Sequence, residues 1–132
     1  MGLKIKLVSI MVENQDHALR FYTDVIGFKA SKDIDVGGGF RWITLVAPEG
    51  HPDVELALEP NVNPIGKAFQ TGLFQQNIPA TAFEVDDIEA EHRRLKDRGV
   101  VFTMPPTDMG PVAIAVFADT CGNLIQIYQA PT

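Results

Sequence analysis

The sequence predicts an α+β fold of two tandem βαβββ modules whose strands form a curved mixed sheet around a cleft. Three observations lead there. Strand-type and helix-type periodicities follow one another in the same order twice, a glycine closes the helix in each half, and the spacing between matching features is nearly constant. Val12 and Val85 are 73 residues apart, Gly27 and Gly99 72, and Glu55 and Gln126 71. A drift of two residues over a whole unit fits a duplicated layout, even between halves that share few identities.

The first strand runs from about Lys4 to Val12, where Ile5, Leu7, Ser9 and Met11 alternate with Lys6, Val8, Ile10 and Val12. Asn14-Gln15-Asp16 then offers side-chain oxygens to the unpaired N–H groups of a first helical turn. Ala18, Tyr22 and Val25 form the apolar stripe of that helix, widened by Leu19, Phe21 and Ile26. Gly27 ends it in the left-handed conformation that costs glycine little. Strands follow at Phe28 to Asp33, Phe40 to Val46 and Val54 to Glu59. Gly37-Gly38-Gly39 and Pro48-Glu49-Gly50-His51-Pro52 mark the turns between them.

Pro60 to Pro79 has a different character. Asn63-Pro64 can start a short helix with Phe69, Gly72, Leu73 and Phe74 on its apolar side. The second half repeats the programme: a strand at Thr81 to Val85, then a helix opened by Asp86, with Glu89 three positions on as in a capping box. Ile88, His92 and Leu95 form its stripe and Gly99 closes it. Strands at Val100 to Thr103, Val112 to Phe117 and Leu124 to Gln129 complete the unit, with Met104 to Pro111 and Asp119 to Asn123 as connections. One domain over 1–132 is expected, with modules at 1–60 and 79–132 and a partly helical linker at 61–78.

Length and composition bound the function. A chain of 132 residues can bury a core without disulfides, and 45% hydrophobic with 21% charged residues is ordinary for a globular protein. No apolar run approaches the roughly 18 residues of a membrane span. Lys4 and Lys6 interrupt the N-terminal stretch that a secretory signal would need. The lone Cys121 builds no disulfide framework, so a reducing cytoplasm is the expected compartment. A net charge of −6 repels nucleic-acid phosphates and anionic membranes, and favours a neutral or cationic ligand.

Strand alternation gives each module a helix side and an opposite side. Val54, Leu56 and Leu58, with Ile125 and Ile127, suit the helix side. Leu7, Ser9, Glu55, Ala57, Ala80, Ala82, Ala113, Ala115, Gln126 and Tyr128 are assigned to the cleft side. Small residues leave volume for a ligand, and a few polar ones orient it. Glu59 and Glu84 read as strand-end carboxylates in solvent. Glu55 sits inside an apolar run, where desolvation would raise its pKa toward the range useful for proton transfer.

The segment Ala18-Leu19-Arg20-Phe21-Tyr22-Thr23-Asp24-Val25-Ile26-Gly27-Phe28 closely resembles the first helix of the vicinal oxygen chelate superfamily, which holds glyoxalase I, bleomycin-resistance proteins and extradiol dioxygenases. Val54-Glu55-Leu56, Phe83-Glu84-Val85-Asp86-Asp87 and Asp119 to Ile125 fit the same family in the same order. The resemblance spans nearly the whole chain and implies paired βαβββ modules, frequent homodimers and, in the enzymes, a divalent metal. It maps the four metal-ligand positions to Leu7, Glu55, Ala80 and Gln126. Only Glu55 and Gln126 carry ligand atoms, short of the three or so protein ligands a catalytic site needs. His17, His51 and His92 read as surface residues, Cys121 as an incidental thiol, and the triple glycine as a hairpin loop. Trp42 and Tyr128 can stack on a planar ligand, and Trp42 fits a core position equally well.

The preferred expectation is a metal-free protein binding a small organic ligand, without a cofactor. Two alternatives stand beside it. One is a metal-dependent lyase of the lactoylglutathione lyase type, or a dioxygenase, with Glu55 as ligand or general base. The other is a non-catalytic dimeric regulatory domain.

Overall fold

A computed structural model of the chain describes residues 2–131, so residues 1 and 132 of the expected module ranges lie outside the described residues. Two compact units emerge, Met1–Gly66 and Lys67–Thr132. Each carries a four-stranded mixed sheet, the α+β arrangement of tandem βαβββ modules that the sequence predicts. No helix among the described residues is long and apolar enough to cross a membrane.

The first unit contains β1 (Leu7–Val12), α1 (Gln15–Arg20), β2 (Lys29–Gly37), β3 (Phe40–Val46) and β4 (Glu55–Pro60). Its strand order is β1-β4-β3-β2, with β1 parallel to β4 and the remaining pairs antiparallel. Asn14 caps α1 by accepting the His17 N–H at 2.9 Å. The helix widens into π-helical turns over Phe21–Ile26 and stops at Gly27, whose φ of 100° few other residues adopt. Tyr22 is fully buried there, edge-on to Phe21 and stacked on Phe28. Beneath the helix lie Ile10, Val12, Ile43, Leu45, Leu56 and Leu58, as strand alternation requires. Gln15 fastens helix to sheet, donating to the carbonyls of Arg41 (2.7 Å) and Leu58 (2.9 Å) and accepting the Arg41 N–H (3.1 Å). The Arg41 guanidinium pairs with Asp33 and Asp16, and holds the Asp33 carboxyl below its usual range.

β2 runs four residues beyond the expected Asp33, because Gly38 and Gly39 both take positive φ and form a two-residue hairpin turn. It is an edge strand, and Lys29, Lys32, Asp33 and Asp35 make that edge unattractive to a further strand.

α2 (Pro64–Gln75) crosses the division between the units. Pro64 occupies its first turn, where a missing N–H costs nothing, and Asn63 Oδ1 accepts the Ile65 N–H. The expected apolar side is not the inward one. Phe69 is 66% exposed, whereas Gln70 is 5% exposed, because its amide bonds the turn between the last two strands.

The second unit continues with β5 (Thr81–Glu84), α3 (Ile88–Asp97), β6 (Phe102–Asp108), β7 (Ala113–Ala118) and β8 (Leu124–Gln129), ordered β5-β8-β7-β6. Ile88, Leu95, Val100, Phe117, Ile125 and Ile127 form its core. The cap of α3 is Asp87, which accepts the Ala90 N–H at 3.1 Å, not Asp86; Gln129 Oε1 accepts the Ile88 N–H. Met104 to Asp108 is strand, where a connection was expected. β6 is an edge strand with register shifts, so Pro105 and Pro106 interrupt no required hydrogen bond there. His92 is half-buried, its ring 4.5 Å edge-on from Phe102, and is no free surface histidine.

One residue of the β7–β8 turn is strained. Thr120 has φ of 61°, a conformation that β-branched residues avoid. Thr120→Gly is expected to raise stability by up to about 1 kcal/mol, read as a higher urea midpoint at unchanged m value.

Candidate functional site

Glu55 opens β4 opposite Leu7 of β1. Thr44 of β3 stands beside Ala57, and Lys32 of β2 beside Thr44, so the three strands bring their side chains to one face, away from α1. A bulge between Ala30 and Lys32 lets two consecutive residues, Ser31 and Lys32, reach the same carboxylate. Lys32 Nζ lies 2.8 Å from each oxygen of Glu55, Thr44 Oγ1 donates to Oε1 at 2.5 Å, and Ser31 adds a further hydrogen bond. The carboxyl pKa is held down to about 2, chiefly by Lys32 and then by Thr44, against the opposing effect of partial burial.

This reverses the expected direction of the Glu55 pKa. Desolvation is outweighed because the adjacent strand supplies an ammonium, and a carboxyl with a pKa near 2 is a weak proton acceptor at neutral pH. The general-base role expected for Glu55 loses its physical basis. The metal ligands implied by the resemblance do not fit either. Both oxygens of Glu55 already bond a cation, Leu7 opposite it is hydrocarbon, and no group of three or more His, Cys, Asp and Glu side chains among the described residues is placed to hold a metal.

The remaining site residues divide. In the first unit Leu7 and Ser9 are exposed on the Glu55 face, and Ala57 is buried between strands on that face. In the second unit Gln126 and Tyr128 are half-buried on the face turned from α3, beside Val116 and Ile114. Ala82, not Ala80, stands opposite Gln126, a two-residue slip that preserves the face and the absence of a ligand atom; Ala80 precedes β5 and bonds the Leu124 carbonyl. Ala113 and Ala115 must be reassigned. They pair with Gln129 and Ile127, which puts them on the α3 side, and Ala115 is completely buried there. Their places on the opposite face belong to Ile114 and Val116. β7 is apolar on both faces, so alternation gave no parity to read.

Sequence reasoning missed Lys32, Ser31 and Thr44. All three lie on expected strands, but which of them meets Glu55 depends on strand order and on the bulge. Cys121 is fully buried and joins no disulfide. Trp42 is half-buried, on the face it shares with Thr44 two residues on.

A family model described as the Glyoxalase/Bleomycin resistance protein/Dioxygenase superfamily matches residues 4–127. An uncharacterised Bacillus subtilis (strain 168) protein, YurT, is 54% identical over 127 residues, 96% of this chain and 99% of its own length. Among solved structures, UcmS2 shares 29% identity at a TM-score of 0.82, covering 97% of this chain and 98% of that one. TnmS3, an antibiotic binding protein from Streptomyces sp. CB03234, shares 26% identity at a TM-score of 0.77 and covers 98% of both chains.

Proposed function

The chain belongs to the glyoxalase/bleomycin resistance protein/dioxygenase superfamily, and from that premise we propose that it binds a small organic molecule without a resident metal. One observation carries the reading: the only carboxylate at the mapped ligand positions already has a protein cation on both of its oxygens. The similarity to TnmS3 supports an antibiotic or a compound of comparable size as ligand. The face around Glu55 offers what such a ligand uses, apolar Leu7 and Trp42 beside a few fixed polar groups.

The reading extends to a homodimer. Ile65 and Phe69, one helical turn apart on α2, are largely exposed, and apolar surface of that kind favours self-association. Light scattering on the purified protein is expected to give twice the chain mass.

Metal titration tests the central claim. Untagged protein grown in metal-supplemented medium and dialysed is expected to contain well under one divalent ion per chain, and to show no rise in Tm with Zn, Ni, Mn or Fe(II). Near-stoichiometric metal, or a Tm rise of several degrees, would sink the metal-free reading.

A further inference from the structure

We propose that Lys32 is the positive pole of the first unit's binding face, and that it donates a hydrogen bond to the carbonyl oxygen of an uncharged, planar ligand. The proposal deepens the small-molecule-binding reading and rests on it.

An ammonium carries three N–H donors. Glu55 takes two of them, one on each oxygen at 2.8 Å, which leaves one for an acceptor. Lys32 remains reachable, its side chain 44% exposed on the edge strand β2, while that of its partner Glu55 is 20% exposed. The carboxylate is itself fixed by Thr44 at 2.5 Å and by Ser31, so it anchors the ammonium in turn. A long flexible side chain that would lose much rotamer freedom on binding a ligand has already lost it, which is the condition for a useful donor.

Charge selects the ligand class. The Lys32–Glu55 pair sums to zero, the carboxylate repels a second anion at the same ammonium, and the chain as a whole carries −6. A carbonyl dipole meets the ammonium without that repulsion. Shape comes from the neighbours on the same face. Leu7 lies opposite Glu55, Trp42 is two residues from Thr44, and Ile34, two residues from Lys32, pairs with Trp42. An indole and two aliphatic side chains beside one oriented donor suit a flat, uncharged carbonyl compound.

The experiment is a ¹H–¹⁵N titration of the full chain with benzamide, benzoate and toluene. Trp42 is the sole tryptophan, so its indole N–H reports this face without ambiguity. Benzamide is expected to shift the Trp42 indole and the amides of Lys32, Thr44 and Glu55, with a lower Kd than benzoate or toluene. Lys32→Met should weaken benzamide about tenfold or more and leave toluene within twofold, since one charge-assisted hydrogen bond is lost. The unshifted remainder of the variant's spectrum shows that it folds. Benzoate binding as tightly as benzamide, or Lys32→Met binding benzamide as wild type does, overturns the assignment. So does the absence of benzamide shifts on this face, even if a different compound binds elsewhere on the chain. Failure of the metal-free reading registers separately, as bound metal in the titration above.

Discussion

Asp119→Ala is expected to destabilise the chain by about 3–5 kcal/mol, and to lower Tm by about 10 °C or more. Asp119 is fully buried at the end of β7, and its carboxylate is the acceptor around which the β7–β8 turn is built. It receives the Cys121 N–H at 2.7 Å, the Asn123 N–H at 3.0 Å and the Asn123 side-chain amide at 2.9 Å. Asn123 in turn accepts from Gln70, whose amide also donates to the Cys121 carbonyl, so the same turn holds α2. Alanine strands three donors where water does not readily follow, and each unmet buried donor costs about 1–3 kcal/mol. Total stability for a domain of this size is only about 5–15 kcal/mol, so the loss is large. Urea unfolding followed by far-UV circular dichroism measures it. Asp119→Asn, which keeps one carbonyl oxygen, is expected to fall between the two. A loss below 1 kcal/mol for the alanine variant would mean that the turn closes without its carboxylate.

That turn shows where sequence reading stops. Asp119 to Asn123 is legible as a connection from composition alone, and Gly122 and Asn123 mark the turn. Its role as the buried anchor of α2 is not legible, because Gln70 lies 51 residues away from Cys121. Helix caps and helix-stopping glycines depend on neighbours within a few residues, and the structure places them within a residue or two of expectation. The cap of α3 is off by one because Asp86 and Asp87 are equally good hydrogen-bond acceptors in sequence. Strand faces follow wherever one side is polar, as in β1 and β4, and fail at β7, where Ala113 to Phe117 is apolar throughout. Glu55 stands out as a carboxylate in an apolar strand. Its pKa went the other way because the deciding residue, Lys32, sits 23 positions earlier on a strand reached only through β3.

Lys32→Met is expected to bring the Glu55 carboxyl up from about 2 toward its ordinary value of about 4.5, read by ¹³C NMR titration of the side-chain carboxyl. The ammonium is the largest cause of the depression. Without it, partial burial pushes upward, while Thr44 and Ser31 still favour the charged form. The pH dependence of stability follows with a definite sign. A carboxyl whose pKa is lower folded than unfolded contributes stability that is fully present above the unfolded value. That contribution fades as pH falls through the folded one, here between about pH 4.5 and pH 2. In the wild type the pair therefore steepens acid unfolding across that window; in Lys32→Met the Glu55 part of the slope flattens, and stability at pH 7 falls modestly, by about 1 kcal/mol for a partly exposed ion pair. The variant also separates two roles of one residue. If Lys32 only neutralised Glu55, then Glu55→Gln combined with Lys32→Met would restore wild-type ligand affinity, since neither charge would remain. If Lys32 also donates to the ligand, the double variant keeps the full tenfold loss, and stability recovers without binding.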